Sequence, residues 1–400
     1  MPFVVYIFTL SAFALGLAEF VPIGLTDVMA SSLNATVEQI GATVTAYALG
    51  ATFSAPILTA LTASWSRKNV MLVTTLVFSL GSFAAAFSTT LSEMVVARFV
   101  AGIGHGLFLA VAASTAAKLA GRGKEGRAVA VVFGGFTLAM AIGVPLSTWL
   151  GGVMAWRPVL AIIGVFGAIG LAGLLFGMKD PVRALHGEHR ASAINSIAAL
   201  LNPTLLSAAL VTVLSYSGSF TAYTYIAPML TKLTGVTAES VGIFMLVYGV
   251  FAAIGNIVGG KITDSLGVNR ANILIIGGII VITLGMWVVS ESAIMMGILV
   301  ALLGMFTFGA VPALQARLIS VASEKAPHAA GVASGLNIAG FNSGIALGSV
   351  TGAFTISNMG IIYTGLAGAV LSLLGLLLLI AQIAKNKTHS YSTIGTNVNS

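Results

Sequence analysis

The sequence predicts an all-α membrane protein, with twelve transmembrane helices in two six-helix bundles related by a pseudo-two-fold axis. Three observations carry this reading. Of 400 residues, 58% are hydrophobic and only 7% charged, with a mean hydropathy of +1.04, a composition that no water-soluble domain folds around a single core. Uncharged runs long enough to cross ~30 Å of hydrocarbon recur twelve times. The cations fall almost wholly on alternate joints between those runs.

The runs lie at about 3–26, 38–62, 70–88, 92–117, 128–153, 158–178, 204–228, 240–260, 271–289, 294–316, 329–354 and 360–384. The first lacks a basic segment before it and exceeds the apolar part of a secretory signal, so it is read as a retained helix. With the amino terminus placed in the cytoplasm, the joints and tail on that side hold 15 of the 18 cations: Arg67, Lys68, Lys118, Arg122, Lys124, Arg127, Lys179, Arg183, Arg190, Lys261, Arg270, Arg317, Lys325, Lys385 and Lys387. The opposite side holds Arg157 and Lys232, and Arg98 lies inside a run. This is the positive-inside distribution, and it predicts both termini in the cytoplasm. The net charge of +7 therefore reports topology. Nucleic-acid binding is excluded, because the basic residues are scattered over membrane joints and do not gather on one face.

The longest charged joint, 179–203, divides the runs six and six. It predicts an amino-terminal bundle at 1–178, a cytoplasmic linker, a carboxyl-terminal bundle at 204–384 and a disordered cytoplasmic tail at 385–400. GVPLSTWLG from Gly143 matches GIALGSVTG from Gly344 in Gly, Leu and Gly at an offset of 201, half the chain. A repeated six-helix unit is the architecture in which two bundles rock about a midplane site. Small residues in these two runs suit close helix packing, and Gly143 with Pro145 is expected to permit a bend.

Cofactor chemistry and catalysis find no support. The absence of cysteine removes thiol nucleophiles and Cys-based metal sites. GNIVGGKI, 255–262, has phosphate-loop spacing as far as Lys261 but places Ile262 where Ser or Thr must reach magnesium. His186, His189 and His328 lie in joints and His389 in the tail. No metal or cofactor is expected, and the chain is read as a non-enzyme.

ALTASWSRKNV (60–70) and GGKITDSLGVNR (259–270) resemble the loop signature of the major facilitator superfamily, Gly-x-Leu-x-Asp-Arg-x-Gly-Arg-Lys. The second copy keeps Gly260, Asp264 and Gly267, whereas the first keeps Arg67 and Lys68 and carries Ala63 at the acidic position. The resemblance implies a cytoplasmic gate at Arg67, Lys68, Gly260 and Asp264. AEFVPIGL, TAYALGATFSAPILTALT, RFVAGIGHGLF, YTYIAPML and GVASGLNIAGFNSGIALGS are similar to the bacterial drug:proton antiporter branch, most of all to its arabinose-efflux-permease-like and chloramphenicol-exporter-like members. This resemblance, running over essentially the whole chain, implies a monomeric, multi-pass protein of the bacterial inner membrane that exports a small molecule in exchange for protons. The alternatives are a proton symporter importing a nutrient and a non-transporting membrane receptor on the same fold.

The charges interior to the runs, away from their ends, are Glu19 and Arg98, and His105 is the only interior histidine. Such groups are costly in hydrocarbon, by ~2.5–3.5 kcal/mol for a charged side chain on insertion scales, and mark ion paths. Glu19 shares a helix face with Ala12, Gly16 and Ile23, so it points to the bundle interior. Arg98 lies at similar depth on the descending fourth run, with His105 two turns deeper on the same face. The expected arrangement is a Glu19–Arg98 pair with His105 below it, working in proton coupling; the competing reading of the pair is a static register-fixing contact. Candidate substrate-binding residues are Tyr47, Phe108, Tyr216, Phe220, Tyr223, Tyr225, Tyr248, Asn337, Phe341 and Asn342, an apolar wall with a few orienting groups. The second half offers no embedded acid, so neutral or weakly polar cargo is expected.

Overall fold

The computed structural model describes residues 2–58, 61–62, 65–120, 125–178, 201–325 and 330–397. Most of the linker expected at 179–203 therefore lies outside the described residues. The spanning helices are α1 (Phe3–Gly24), α2 (Val37–Phe53, extended by a π-helical turn Ser54–Leu58), α3 (Arg67–Phe87), α4 (Leu91–Ala120), α5 (Glu125–Leu138, π-helical Ala139–Gly143, then Val144–Val153) and α6 (Trp156–Gly177). The second set comprises α7 (Pro203–Tyr223), α8 (Ala238–Leu266), α9 (Val268–Val288), α10 (Ala293–Lys325), α11 (Ala330–Met359) and α12 (Thr364–Asn397). Among the described residues, eleven helices are long and apolar enough to cross a membrane. The other, α11, has 30 residues and is diluted by Asn337, Asn342, Ser343, Ser349 and its glycines. Helix α12 runs on to Asn397, past residue 385 where disorder was expected. No Pro follows Lys385 to stop it, and extending an existing helix avoids the cost of nucleation.

The packing repeats between the halves. Helix α2 packs on α4, α1 on α5, α1 on α6, α3 on α4 and α3 on α6, and each pairing recurs six helices later, as α8 on α10, α7 on α11, α7 on α12, α9 on α10 and α9 on α12. The two bundles meet through α2 against α11 and α5 against α8, which the same operation exchanges. Glycine makes one of these crossings possible. A β-carbon on Gly249 would stand 2.0 Å from the Met140 carbonyl oxygen, so α8 reaches α5 only with hydrogen at that position.

The helix irregularities fall at prolines. One π-helical turn contains Pro56, another ends two residues before Pro145, and the third, Leu230–Thr234, begins two residues after Pro228. Pro145 has no N–H for the Ala141 carbonyl and its ring crowds that oxygen, and the ladder adjusts by a wider turn. The irregular turn beside Pro145 spans Ala139–Gly143.

With twelve spans, both termini lie on one face. On the opposite face the bundles are closed: the Thr231 hydroxyl donates to Asp27 Oδ2 at 2.7 Å and the Ser349 hydroxyl donates to the Gly41 carbonyl at 2.8 Å. On the termini face, Arg67 and Asp264 are exposed, Gly260 has open space above it, and Lys68 donates to Leu175 O of its own bundle at 3.1 Å. Among the described residues, no hydrogen bond or ion pair joins Asp264 to the first bundle.

Candidate functional site

Every residue of α1 from Ala14 to Gly24 is buried, so Glu19 enters the protein interior, 5% exposed. Pro22 shapes its surroundings. Four residues after Ala18, it supplies no N–H to the Ala18 carbonyl, and a buried carbonyl needs a donor. Arg98 of α4 provides it: Nη1 donates to Ala18 O, while Nε donates to Thr43 O of α2 at 3.4 Å. The guanidinium also lies over the Tyr47 ring, 4.1 Å from its centroid. One cation thereby ties three helices together.

This geometry corrects the expected Glu19–Arg98 ion pair. The ion-pair contact of Glu19 is instead with His105, whose Nδ1 lies 3.9 Å from Glu19 Oε2. Arg98 finds its acceptors in two carbonyls and an aromatic face, arrangements that stabilise a guanidinium without a carboxylate. His105 Nδ1 has a nearer neighbour, the Tyr47 hydroxyl at 2.9 Å, which also reaches the Leu15 carbonyl at 3.4 Å. Tyr47, expected on the substrate wall, therefore belongs to the acid cluster. His105 and Tyr47 are each 1% exposed, so the cluster is screened from bulk water.

One residue beyond Glu19, Phe20 begins an aromatic cluster that crosses the bundles. Its ring centroid lies 6.2 Å from Phe220, 6.4 Å from Tyr223, 6.1 Å from Phe308 and 5.7 Å from Phe136. Tyr223 stacks on Tyr248 at 4.0 Å, and Tyr216 bridges Phe220 at 5.0 Å and Phe341 at 4.7 Å. Five expected residues, Tyr216, Phe220, Tyr223, Tyr248 and Phe341, thus share one cluster. Phe20, Phe136 and Phe308 join it without having been singled out. In a chain with 21 Phe, type alone does not separate cavity walls from packing; for Phe20, adjacency to the embedded acid was the available signal.

The remaining candidates lie elsewhere. Phe108 is buried among Ser11, Leu15, Thr75, Phe78 and Gly167 of its own bundle, because its position on α4 turns it towards α1, α3 and α6. Tyr225 follows the end of α7, its hydroxyl donating to Ser349 O at 2.9 Å, and is part of the closure opposite the termini. Asn337 accepts from Thr212 at 2.9 Å and donates to Gln315 at 2.8 Å, a polar link within the second bundle. Asn342 donates to Ile338 O at 3.0 Å on its own helix.

A second buried cation went unforeseen. Arg317, placed in a joint by its charge, lies within α10 and is 4% exposed. It donates to Ala208 O at 3.2 Å and to Gln382 Oε1. Hydropathy ends a run at the first charge, whereas the helix continues wherever its polar groups find partners.

The chain matches the description "Major Facilitator Superfamily" over residues 8–337. It is 32% identical to the inner membrane transport protein YdhP of Escherichia coli (strain K12) over 378 residues, covering 94% of this chain and 95% of that one. A chloramphenicol resistance protein of Streptomyces lividans is 30% identical over 368 residues, 90% of each chain. In fold, the structure is similar to a crystal structure of the nucleoside transporter NupG, with a TM-score of 0.75 and 16% identity over 95% of this chain and 98% of that one. With two related six-helix bundles joined face to face and a family match spanning most of its length, the chain belongs to the Major Facilitator Superfamily of membrane transporters.

Proposed function

We propose that this transporter exports small, uncharged or weakly polar molecules across a bacterial cytoplasmic membrane in exchange for protons, with both termini in the cytoplasm. One observation carries the reading: Glu19, the acid embedded in the first helix, immediately precedes Phe20, whose ring meets aromatic side chains of the other bundle. A proton on that carboxyl and a molecule seated between the bundles would compete for, or cooperate over, the same helix turn. That is the physical requirement for coupling two ligands. The closed face opposite the termini supports placing the structure on the cytoplasm-facing side of an alternating cycle, with Asp264, Gly260, Arg67 and Lys68 as the gate that assembles when the bundles rock.

The cluster around Phe20 is rich in rings and has no fixed charge from the second half, which favours a planar neutral cargo. Chloramphenicol, taken from the name of the Streptomyces lividans relative, is a suitable first probe. Everted vesicles acidified inside should accumulate labelled chloramphenicol when they contain the wild-type protein, and Glu19→Gln should abolish the gradient-driven component. Accumulation only in right-side-out vesicles would reverse the direction assigned. Gradient-driven accumulation undiminished in Glu19→Gln would remove Glu19 from coupling.

A further inference from the structure

The Tyr47 hydroxyl occupies a nitrogen that the acid could use. An imidazole Nδ1 in the ring plane either accepts one hydrogen bond through its lone pair or donates one through its proton. In this structure the nitrogen lies 2.9 Å from Tyr47 Oη and 3.9 Å from Glu19 Oε2, so the short contact belongs to the phenol. The phenol has an alternative acceptor in Leu15 O at 3.4 Å. Two arrangements are therefore available without moving the backbone. In the first, Tyr47 donates to Nδ1, the ring proton sits on Nε2, and Glu19 receives nothing from the imidazole. In the second, Tyr47 donates to Leu15 O, the proton sits on Nδ1, and His105 donates to Glu19 once the 3.9 Å gap closes to hydrogen-bond length. The second arrangement supports a carboxylate; the first leaves only a neutral carboxyl comfortable in an apolar site.

We propose that Tyr47 is a positioning residue for proton coupling: by holding His105 in the Nε2–H tautomer in the conformation closed opposite the termini, it withholds the imidazole from Glu19 until the bundles move. The proposal rests on Glu19 being the coupling acid. The other ionisable groups around Glu19 do not supply the same switch. Arg98 on α4 donates through Nη1 to Ala18 O and through Nε to Thr43 O, leaving Nη2 without a partner, and from α5 the Phe136 ring packs on His105 at 6.0 Å. From the second bundle, the rings of Tyr216, Tyr223 and Tyr248 pack in the aromatic cluster, with the Tyr223 hydroxyl donating to Met245 Sδ at 3.9 Å and none of the three hydroxyls hydrogen-bonded to Glu19 or His105. Tyr47→Phe keeps the ring beneath Arg98 and removes only the hydroxyl.

The chain contains no cysteine, so spin labels can be placed at will. Ser31→Cys with Lys232→Cys puts labels on exposed positions either side of the Asp27–Thr231 contact, and pulsed electron resonance in nanodiscs then reads the closed fraction against pH without any substrate. Tyr47→Phe should move the midpoint of the wild-type transition by at least half a pH unit towards acid. Glu19→Gln should flatten it, and adding Tyr47→Phe to Glu19→Gln should change nothing further. A Tyr47→Phe curve superimposed on wild type, in protein of unchanged melting temperature, overturns the role of Tyr47 while leaving Glu19 intact. A pH transition that persists in Glu19→Gln overturns both. Nitrogen-15 resonances of labelled histidine, with His105 assigned by its loss in His105→Gln, give a second measure needing no Tyr47 variant. Neutral wild-type His105 must be the Nε2–H tautomer, and an Nδ1–H signal refutes the proposal.

Discussion

Gly41 is the position at which one methyl group should bias the whole cycle. A β-carbon there would lie 1.9 Å from Tyr225 Oη and 2.7 Å from its Cζ, at least ~1.5 Å short of van der Waals contact with the oxygen. In Gly41→Ala the tyrosine must withdraw, breaking its 2.9 Å bond to Ser349 O and disturbing the Ser349 donation to Gly41 O. The lost hydrogen bond costs about 1 kcal/mol and the overpacking about 1–3 kcal/mol. Alanine also favours the helix by about 1 kcal/mol over glycine, in every conformation alike, so the penalty falls on the closed state alone. The closed-to-open ratio should drop by roughly 30- to 700-fold for ~2–4 kcal/mol. Spin labels at Ser31→Cys and Lys232→Cys should report a longer distance as the major population, at an undiminished melting temperature. Tyr225→Ala added to Gly41→Ala should restore the short distance by removing the obstructing ring. An unchanged distance distribution in folded Gly41→Ala, or a shift that Tyr225→Ala leaves in place, would refute this account of the closure.

Arg98→Met should lower the melting temperature markedly, by the equivalent of about 2–5 kcal/mol, because it strands the Ala18 and Thr43 carbonyls in a buried site; stability within about 0.5 kcal/mol of wild type in thermal or denaturant unfolding would show that Arg98 does not tie the helices. Glu19→Gln should fold as well as wild type, since no guanidinium nitrogen lies within 4.0 Å of the carboxylate; a loss of about 3–5 kcal/mol, the signature of a broken buried pair, would restore the static reading. Asp264→Asn, at an exposed position, should leave the melting temperature unchanged and slow vesicle transport several-fold, and wild-type turnover would take Asp264 out of the gate.

The architecture was readable because bilayer physics acts on long averages. Run length reports span number whatever the details of packing, and the Gly143 and Gly344 segments exposed the repeat. The site was readable only as an inventory. Glu19, Arg98 and His105 stood out as ionisable groups in apolar runs, but their partners depended on which polar atoms the folded backbone leaves free. One such atom was deducible: Pro22 lies four residues after Ala18, so the Ala18 carbonyl had to find a donor outside its helix. The aromatic residues gave no comparable signal. Phe108 and Phe220 look alike in sequence, yet the first packs within its bundle and the second faces the other, a difference set by helix rotation that a uniformly apolar helix does not encode.

The repeat itself clarifies why the acid cluster occupies one half. Tyr47 and Tyr248 stand 201 residues apart, the offset of the Gly143 and Gly344 segments, and both pack closely on a glycine of the helix two later. A β-carbon on Gly102 would lie 2.1 Å from Tyr47 O, and one on Gly304 would lie 2.4 Å from Tyr248 O. The backbone contact has the same form in both halves, while the surroundings of the two rings differ. Tyr47 lies beneath Arg98 and against His105, whereas Tyr248 stacks on Tyr223. Gly102 and Gly304 are 202 residues apart, and the same step carries Arg98 to Val300 and His105 to Thr307, so the second half holds no ionisable side chain where the first holds two. A symmetric scaffold therefore supplies two equivalent tyrosine positions, one committed to charge and the other to an aromatic wall. If that division is what separates proton handling from cargo binding, then Tyr248→Leu should weaken chloramphenicol accumulation several-fold without moving the pH midpoint of the spin-label transition, the reverse of Tyr47→Phe. A Tyr248→Leu variant that shifts the midpoint as Tyr47→Phe does would show that the two halves share the proton-linked step and would overturn the division.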